Sequence, residues 1–272
     1  MMDRLPGRFT SGWLPVLMAS AMVVVLNVGC VTRQGSASPG IYQRSTIGAL
    51  LSGDYDSDMT VGDLLGHGDF GIGTFDGLDG EMVVLDGVCR RIGADGRVSL
   101  VGSEQLTSFA AVLFFSPDRQ CRLDGGGSFE SVKKQLDATL PSRNYFYAVR
   151  LKGRFTVLKA RSVPRQNKPY PPLAEVVKSQ PVFSLKDVEG TLVGFRSPDF
   201  VGTMGVPGYH FHFLSADGAA GGGHLLDCVL ASPATAEIQE VREFHLSLPQ
   251  TAGFKQSDLN KGTEQDLKKA EK

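Results

Sequence analysis

Gly208-Tyr209-His210-Phe211-His212-Phe213, continued by Ser215-Ala216-Asp217-Gly218 and Gly221-Gly222-Gly223-His224, is the segment around which the rest of the chain is read. Histidine alternates with aromatic residues at a period of two, the pattern of a strand. His210 and His212 are two residues apart, so both imidazoles leave the same face. Asp217-Gly218 signals a hairpin, and the three glycines let the returning backbone approach closely. A second strand carrying His224 then lies beside the first. A lone histidine in such a strand is most simply a hydrogen-bonded core residue. Three that converge across one hairpin form instead the ligand set of an open zinc or related divalent site. Three of the five histidines of the chain fall in this run. Their spacing does not identify a reaction.

Downstream, residues 229–248 supply a last strand or a helix–strand pair, and the charged tail from Lys255 is expected to be solvated, with 266–272 helical by composition. Upstream, 180–194 reads as two strands around Asp187-Val188-Glu189-Gly190. Residues 145–158 read as a hairpin turning at Lys152-Gly153. Between them, 160–173 is basic and proline-rich, the composition of a linker. Arg161 directly follows a predicted strand, where a guanidinium can be held for a carboxylate. Short helices are expected over 45–51, after a Thr60 cap, over 128–140 and over 173–179. The 128–140 helix shows no capping box at Ser128, which leaves its start loosely defined. Residues 107–115 form an apolar run of strand length, buried on both faces. Turns at 76–80, 86–87 and 94–97 punctuate a meander that contains Glu81. His67 sits in a turn context and is read as structural or substrate-proximal. A weak echo between 79–116 and 188–215 suggests two related halves. The expected fold class is α+β, with two sheet-rich halves of mixed or antiparallel sheet and a few short helices. The expected domains are 42–160 and 161–254, the second carrying the histidines, followed by a tail over 255–272.

Length, composition and charge fit a globular protein: 272 residues, 42% hydrophobic, 21% charged and a net charge of -1. No global basic field invites nucleic acid. The 33 glycines suit a turn-rich sheet protein. Residues 1–30 read as an export signal, with Arg4 and Arg8 before an apolar run over 13–28. Gly29-Cys30 and a polar tract follow, so Cys30 is a lipidation candidate, although Asn27 stands where a lipobox has Leu. Residues 31–41 are a flexible linker. The protein is therefore expected to be exported, periplasmic, secreted or held at a membrane only through a lipid anchor at Cys30. Cys89, Cys121 and Cys228 have no CxxC spacing, which argues against a thiolate zinc site.

Taken together, Gly73-Thr74-Phe75-Asp76-Gly77-Leu78-Asp79-Gly80-Glu81-Met82, Lys159-Ala160-Arg161-Ser162-Val163-Pro164 and the histidine run resemble the bacterial alpha-acetolactate decarboxylases. The resemblance spans about residues 42–254. It implies a zinc-dependent carboxy-lyase of acetoin and butanediol biosynthesis, commonly a homodimer. Its small-molecule substrate would be (2S)-2-hydroxy-2-methyl-3-oxobutanoate (2-acetolactate), converted to (R)-acetoin and carbon dioxide. By position it implies His210, His212 and His224 as Zn2+ ligands, and Glu81, Arg161 and Thr74 as active-site residues. It also implies a tail glutamate, with Glu271 the first candidate and Glu264 the second. Two departures stand out: the spacing from His212 to His224 is one residue longer than is usual in the family, and Arg196 replaces an aromatic. An exported zinc hydrolase and a zinc-binding lipoprotein without turnover are the competing readings.

Overall fold

A computed structural model describes residues 40–218, 220–259 and 264–271. The expected signal segment, Cys30 and nearly all of the 31–41 linker lie outside the described residues. The strands are β1 (Ile41–Arg44), β2 (Phe70–Thr74), β3 (Glu81–Leu85), β4 (Val88–Ile92), β5 (Val98–Leu100), β6 (Phe109–Leu113), β7 (Arg119–Leu123), β8 (Phe146–Arg161), β9 (Val182–Ser197), β10 (Gly208–Ser215), β11 (Gly222–Leu230), β12 (Ala234–Val241) and β13 (Phe244–Ser247). The helices are α1 (Ile47–Leu51), α2 (Val61–Leu65), α3 (Phe129–Asp137), α4 (Leu173–Val176), α5 (Ala252–Gln256) and α6 (Glu264–Ala270). The fold is α+β, as expected.

Two sheets carry the molecule. The first runs β13-β1-β6-β2-β3-β4-β5 and is mixed, because β1 and β13 are parallel. The second runs β11-β10-β9-β8-β12-β7, and β11 also pairs with β8, so that β8 to β11 close into a ring. The chain leaves the first sheet after Leu113 and returns to it at Phe244. Residues 160/161, the expected domain division, fall at the end of β8 within the second sheet.

Period-two alternation sorts the side chains into layers. Phe70 and Ile72 of β2 and Val83 of β3 meet Ala148, Val193, Phe195 and Leu214 of the second sheet in a shared central core. Phe211 and Phe213 point the other way, into a core with Phe155, Leu192 and Leu225 that α3 covers through Val132 and Leu136. On the outer face of the first sheet α2 inserts Val61 and Leu64 against Met82, Val84 and Val112. Each such side chain, fully buried, stabilises the fold by about 1.5–3 kcal/mol.

Five sequence expectations change. β8 runs unbroken through Lys152-Gly153 and β9 through Asp187 to Gly190, because Lys152 pairs Thr191, Gly153 pairs Gly190 and Arg154 pairs Glu189 in continuous register. The hairpin signal in β9 is a local kink, with Asp187 at φ 49°. Residues 229–248 hold the end of β11 and then two strands, with no helix. The 128–140 helix has a defined start, since the Ser128 hydroxyl accepts from the Ser131 N–H at 3.4 Å. The tail is helical but not freely solvated: Leu267 and Ala270 are buried in a cluster with Ile47, Leu50 and Leu173.

Candidate active site

The site begins where β10 and β11 pair. His212 faces His224 in antiparallel register, and His224 in turn faces Arg161 on β8. Three functional side chains are thus fixed by adjacent strands. The alternation that sends Phe211 and Phe213 into the ring core sends His210 and His212 toward the first sheet. Gly223 makes the approach feasible. It sits at φ +131°, and a Cβ there would lie 2.2 Å from the Arg161 carbonyl oxygen. His210, His212 and His224 bring one ring nitrogen each to within 4.8 Å of one another. Nε2 of His210 lies 3.1 Å from Nδ1 of His224. His212 Nδ1 lies 2.8 Å from the Met82 carbonyl oxygen. A carbonyl only accepts, so Nδ1 carries the proton and Nε2 is left with its lone pair facing the cluster.

The first sheet supplies the opposite wall. Thr74 and Glu81 face each other at the ends of β2 and β3. The Thr74 hydroxyl donates to the Gly80 carbonyl at 2.7 Å, which holds the turn that presents Glu81. Oε2 of Glu81 is 3.5 Å from Nε2 of His212. Glu271, just past α6, places Oε2 at 3.8 Å from Nε2 of His224 and 3.9 Å from Nε2 of His210. The side chain of Glu264 lies outside the described residues. Arg161 is 4% exposed and donates from Nη1 to Gln180 Oε1 at 3.1 Å and from Nη2 to the Ala270 carbonyl.

These groups line one pocket of about 450 Å³, its mouth included, whose apolar walls include Ile47, Leu50, Leu78, Phe109, Val163 and Leu173. Burial dominates its electrostatics. It lowers His210 to about 3, helped by the Arg161 charge, and takes His212 and His224 well below the ordinary histidine value. The neutral imidazole, the form that ligates a metal, is therefore the form present. Burial raises Glu81 to about 8 and Glu271 to about 7, against the opposing charge of Arg161 in both cases. Two carboxyl groups able to carry a proton near neutrality thus flank a nitrogen cluster whose donor set fits Zn2+.

All seven site residues expected from the sequence line this pocket. His67 does not. It stacks on Tyr42 at 3.7 Å between ring centroids, a structural contact. Arg196 is also structural, donating to the carbonyls of Arg143 and Tyr145. Gln180 and the Met82 carbonyl are not among the residues expected from the sequence. The first is a single polar residue just before a strand, and a backbone acceptor leaves no mark in a sequence.

The alpha-acetolactate decarboxylase family model matches residues 41–261. An alpha-acetolactate decarboxylase of Methanosarcina mazei is 47% identical over 238 residues, which cover 87% of this chain and 82% of that protein. The Bacillus subtilis alpha-acetolactate decarboxylase is 41% identical over 81% of this chain and 86% of its own. The crystal structure of the Bacillus subtilis strain 168 alpha-acetolactate decarboxylase superposes with a TM-score of 0.82 at 39% identity, covering 85% of this chain and 99% of that one.

Proposed function

Because the chain belongs to the alpha-acetolactate decarboxylase family, we propose that this carboxy-lyase converts (2S)-2-acetolactate to (R)-acetoin and carbon dioxide with Zn2+ held by His210, His212 and His224. The observation that carries the reading is the meeting, in one small pocket, of three neutral imidazoles, two protonatable carboxyls and a buried guanidinium. When bound there, Zn2+ supplies Lewis acidity that offsets the negative charge developing on the substrate's ketone and hydroxyl oxygens.

Arg161 binds the substrate carboxylate, the group that departs, and its planar fork sets the angle at which that bond breaks. Glu81 then delivers a proton to the carbon that lost carbon dioxide. It suits this role because it stands on a strand, beside His212, where burial raises its carboxyl above the ordinary range. Glu271 closes the other side of the cluster and is the second acid. A donor fixed on one face of the planar intermediate accounts for a single enantiomer of product. Thr74 holds the turn before Glu81. Export is supported by Arg4, Arg8 and the apolar run before Cys30, and a lipid anchor at Cys30 and a homodimer complete the reading.

The test is acetoin formation from racemic acetolactate by the protein and by Glu81→Gln. The wild-type protein is expected to form acetoin, and the variant to retain its zinc but lose about 10²–10⁴-fold in kcat. Zinc bound without acetoin formation by the wild type sinks the substrate assignment.

A further inference from the structure

Arg161 is held in an unusual way for a buried guanidinium. Such groups are ordinarily paired with a carboxylate, because an isolated buried charge is costly. Among the described residues no carboxylate lies within ion-pair distance of Arg161, and its two hydrogen-bond acceptors, Gln180 Oε1 and the Ala270 carbonyl, are both neutral. Its Nε is buried and has no hydrogen-bond partner among the described residues. The guanidinium is thus oriented from two sides, keeps its full charge and retains unused donors.

The side chain of Gln180 is the device that provides the first of these contacts. It precedes β9, whose Val182 pairs with Arg161 in the ladder, so a glutamine there reaches the guanidinium from a neighbouring strand end. The Ala270 contact comes instead from the tail helix, so of the two acceptors Gln180 is the one that lies at the entry to β9. A glutamate would fit the same space. It would also satisfy the charge of Arg161 before any substrate carboxylate arrived.

We propose that Gln180 is a positioning residue: its amide carbonyl fixes the Arg161 guanidinium for the carboxylate of a 2-hydroxy-2-carboxylate substrate, and its neutrality leaves the positive charge for that carboxylate. This rests on the carboxylate-binding role given to Arg161 above. It gives Gln180 no contact with substrate and no part in proton transfer.

The experiment compares the wild-type protein with Gln180→Met, which keeps the size and loses the acceptor, and Gln180→Glu, which keeps the acceptor and adds a charge. Each is measured for acetoin kinetics, for zinc content, for thermal midpoint, and by calorimetry for binding of 2-hydroxy-2-methylpropanoate, which carries the carboxylate and hydroxyl but no ketone. Gln180→Met is expected to raise KM and the calorimetric Kd by about 10-fold, the worth of one hydrogen bond to a charged group, with zinc content unchanged. Gln180→Glu is expected to match or exceed the wild-type midpoint and yet weaken both constants by about 10-fold or more. A purely structural glutamine would lower the midpoint in Gln180→Met, leave both constants alone, and be rescued by Gln180→Glu. Binding by Gln180→Glu within about twofold of wild type overturns the proposal, whatever the fate of the methionine variant. Absence of acetoin from the wild-type protein defeats the substrate reading instead, and the calorimetry still decides the role of Gln180.

Discussion

His212 shows how one backbone contact orients a candidate metal ligand. Its Nδ1–H is committed to Met82 on the other sheet, so the ring cannot rotate and Nε2 stays aimed at the cluster. Arg161 is held as firmly, and Arg161→Lys is expected to lower kcat/KM by about 10²-fold with zinc retained, because an ammonium cannot reproduce the planar grip. Steady-state kinetics with metal analysis checks this. Away from the site, burial and the charge of Asp56 raise the Asp54 carboxyl to about 6 from 3.8. The folded state therefore binds that proton more tightly than the unfolded chain does. The resulting stabilisation is complete below the unfolded value and is lost as pH rises through about 6. Asp54→Asn should raise the thermal midpoint relative to wild type at pH 7.5 and not at pH 3, which melting curves across that range will show. The histidines, Glu81 and Arg161 were legible at this scale because spacing and family motifs mark them. Gln180 was not, because nothing in its neighbours distinguishes a residue that orients another.

Among the elements, hairpin signals in the sequence match the structure where the turn is forced and fail where strand pairing overrides them. Asp217-Gly218 turns, and Gly218 takes φ +66°. Lys152-Gly153 does not turn, because β9 lies in register along all of β8 and rewards extension through the glycine. Gly223 belongs to the forced kind. Gly223→Ala is expected to lower the thermal midpoint and the bound zinc together, since its φ and its close approach to Arg161 both exclude a Cβ. Zinc content unchanged in that variant would separate the hairpin from the metal. The sequence marks the tail as helical by composition but not as docked, since among its described side chains only Leu267 and Ala270 are buried. Deleting residues 264–272 removes Glu271 and the Ala270 carbonyl at once. It is expected to abolish most acetoin formation while the thermal midpoint moves little, because few apolar side chains are lost.

For the whole molecule, the organising fact is that the site lies between two sheets, each of which contributes what the other lacks. The second sheet supplies the histidines and Arg161, and the first supplies Thr74, Glu81 and the carbonyl that orients His212. Ser162 reinforces the junction by donating to the Ile92 carbonyl at 2.8 Å. The fold class was legible from strand-length runs and glycine-rich turns. The path of the chain between the sheets was not, because partner choice among strands depends on long-range packing that no local pattern records. The buried thiols Cys89 and Cys228 are pushed up to about 12 by burial, and Cys121 is buried as well. All three should resist an alkylating reagent in the native protein and react in denaturant, as mass spectrometry of the labelled peptides will reveal. Metal and reaction are expected to be linked at the three histidines. The most direct measurement strips the protein with chelator, restores Zn2+ in steps and follows acetoin formation from acetolactate. A rate that starts near zero, rises linearly and breaks at one zinc per chain, with no recovery in His212→Ala, is the outcome required here. Full acetoin formation by the stripped protein, or zinc taken up with none formed, would contradict it.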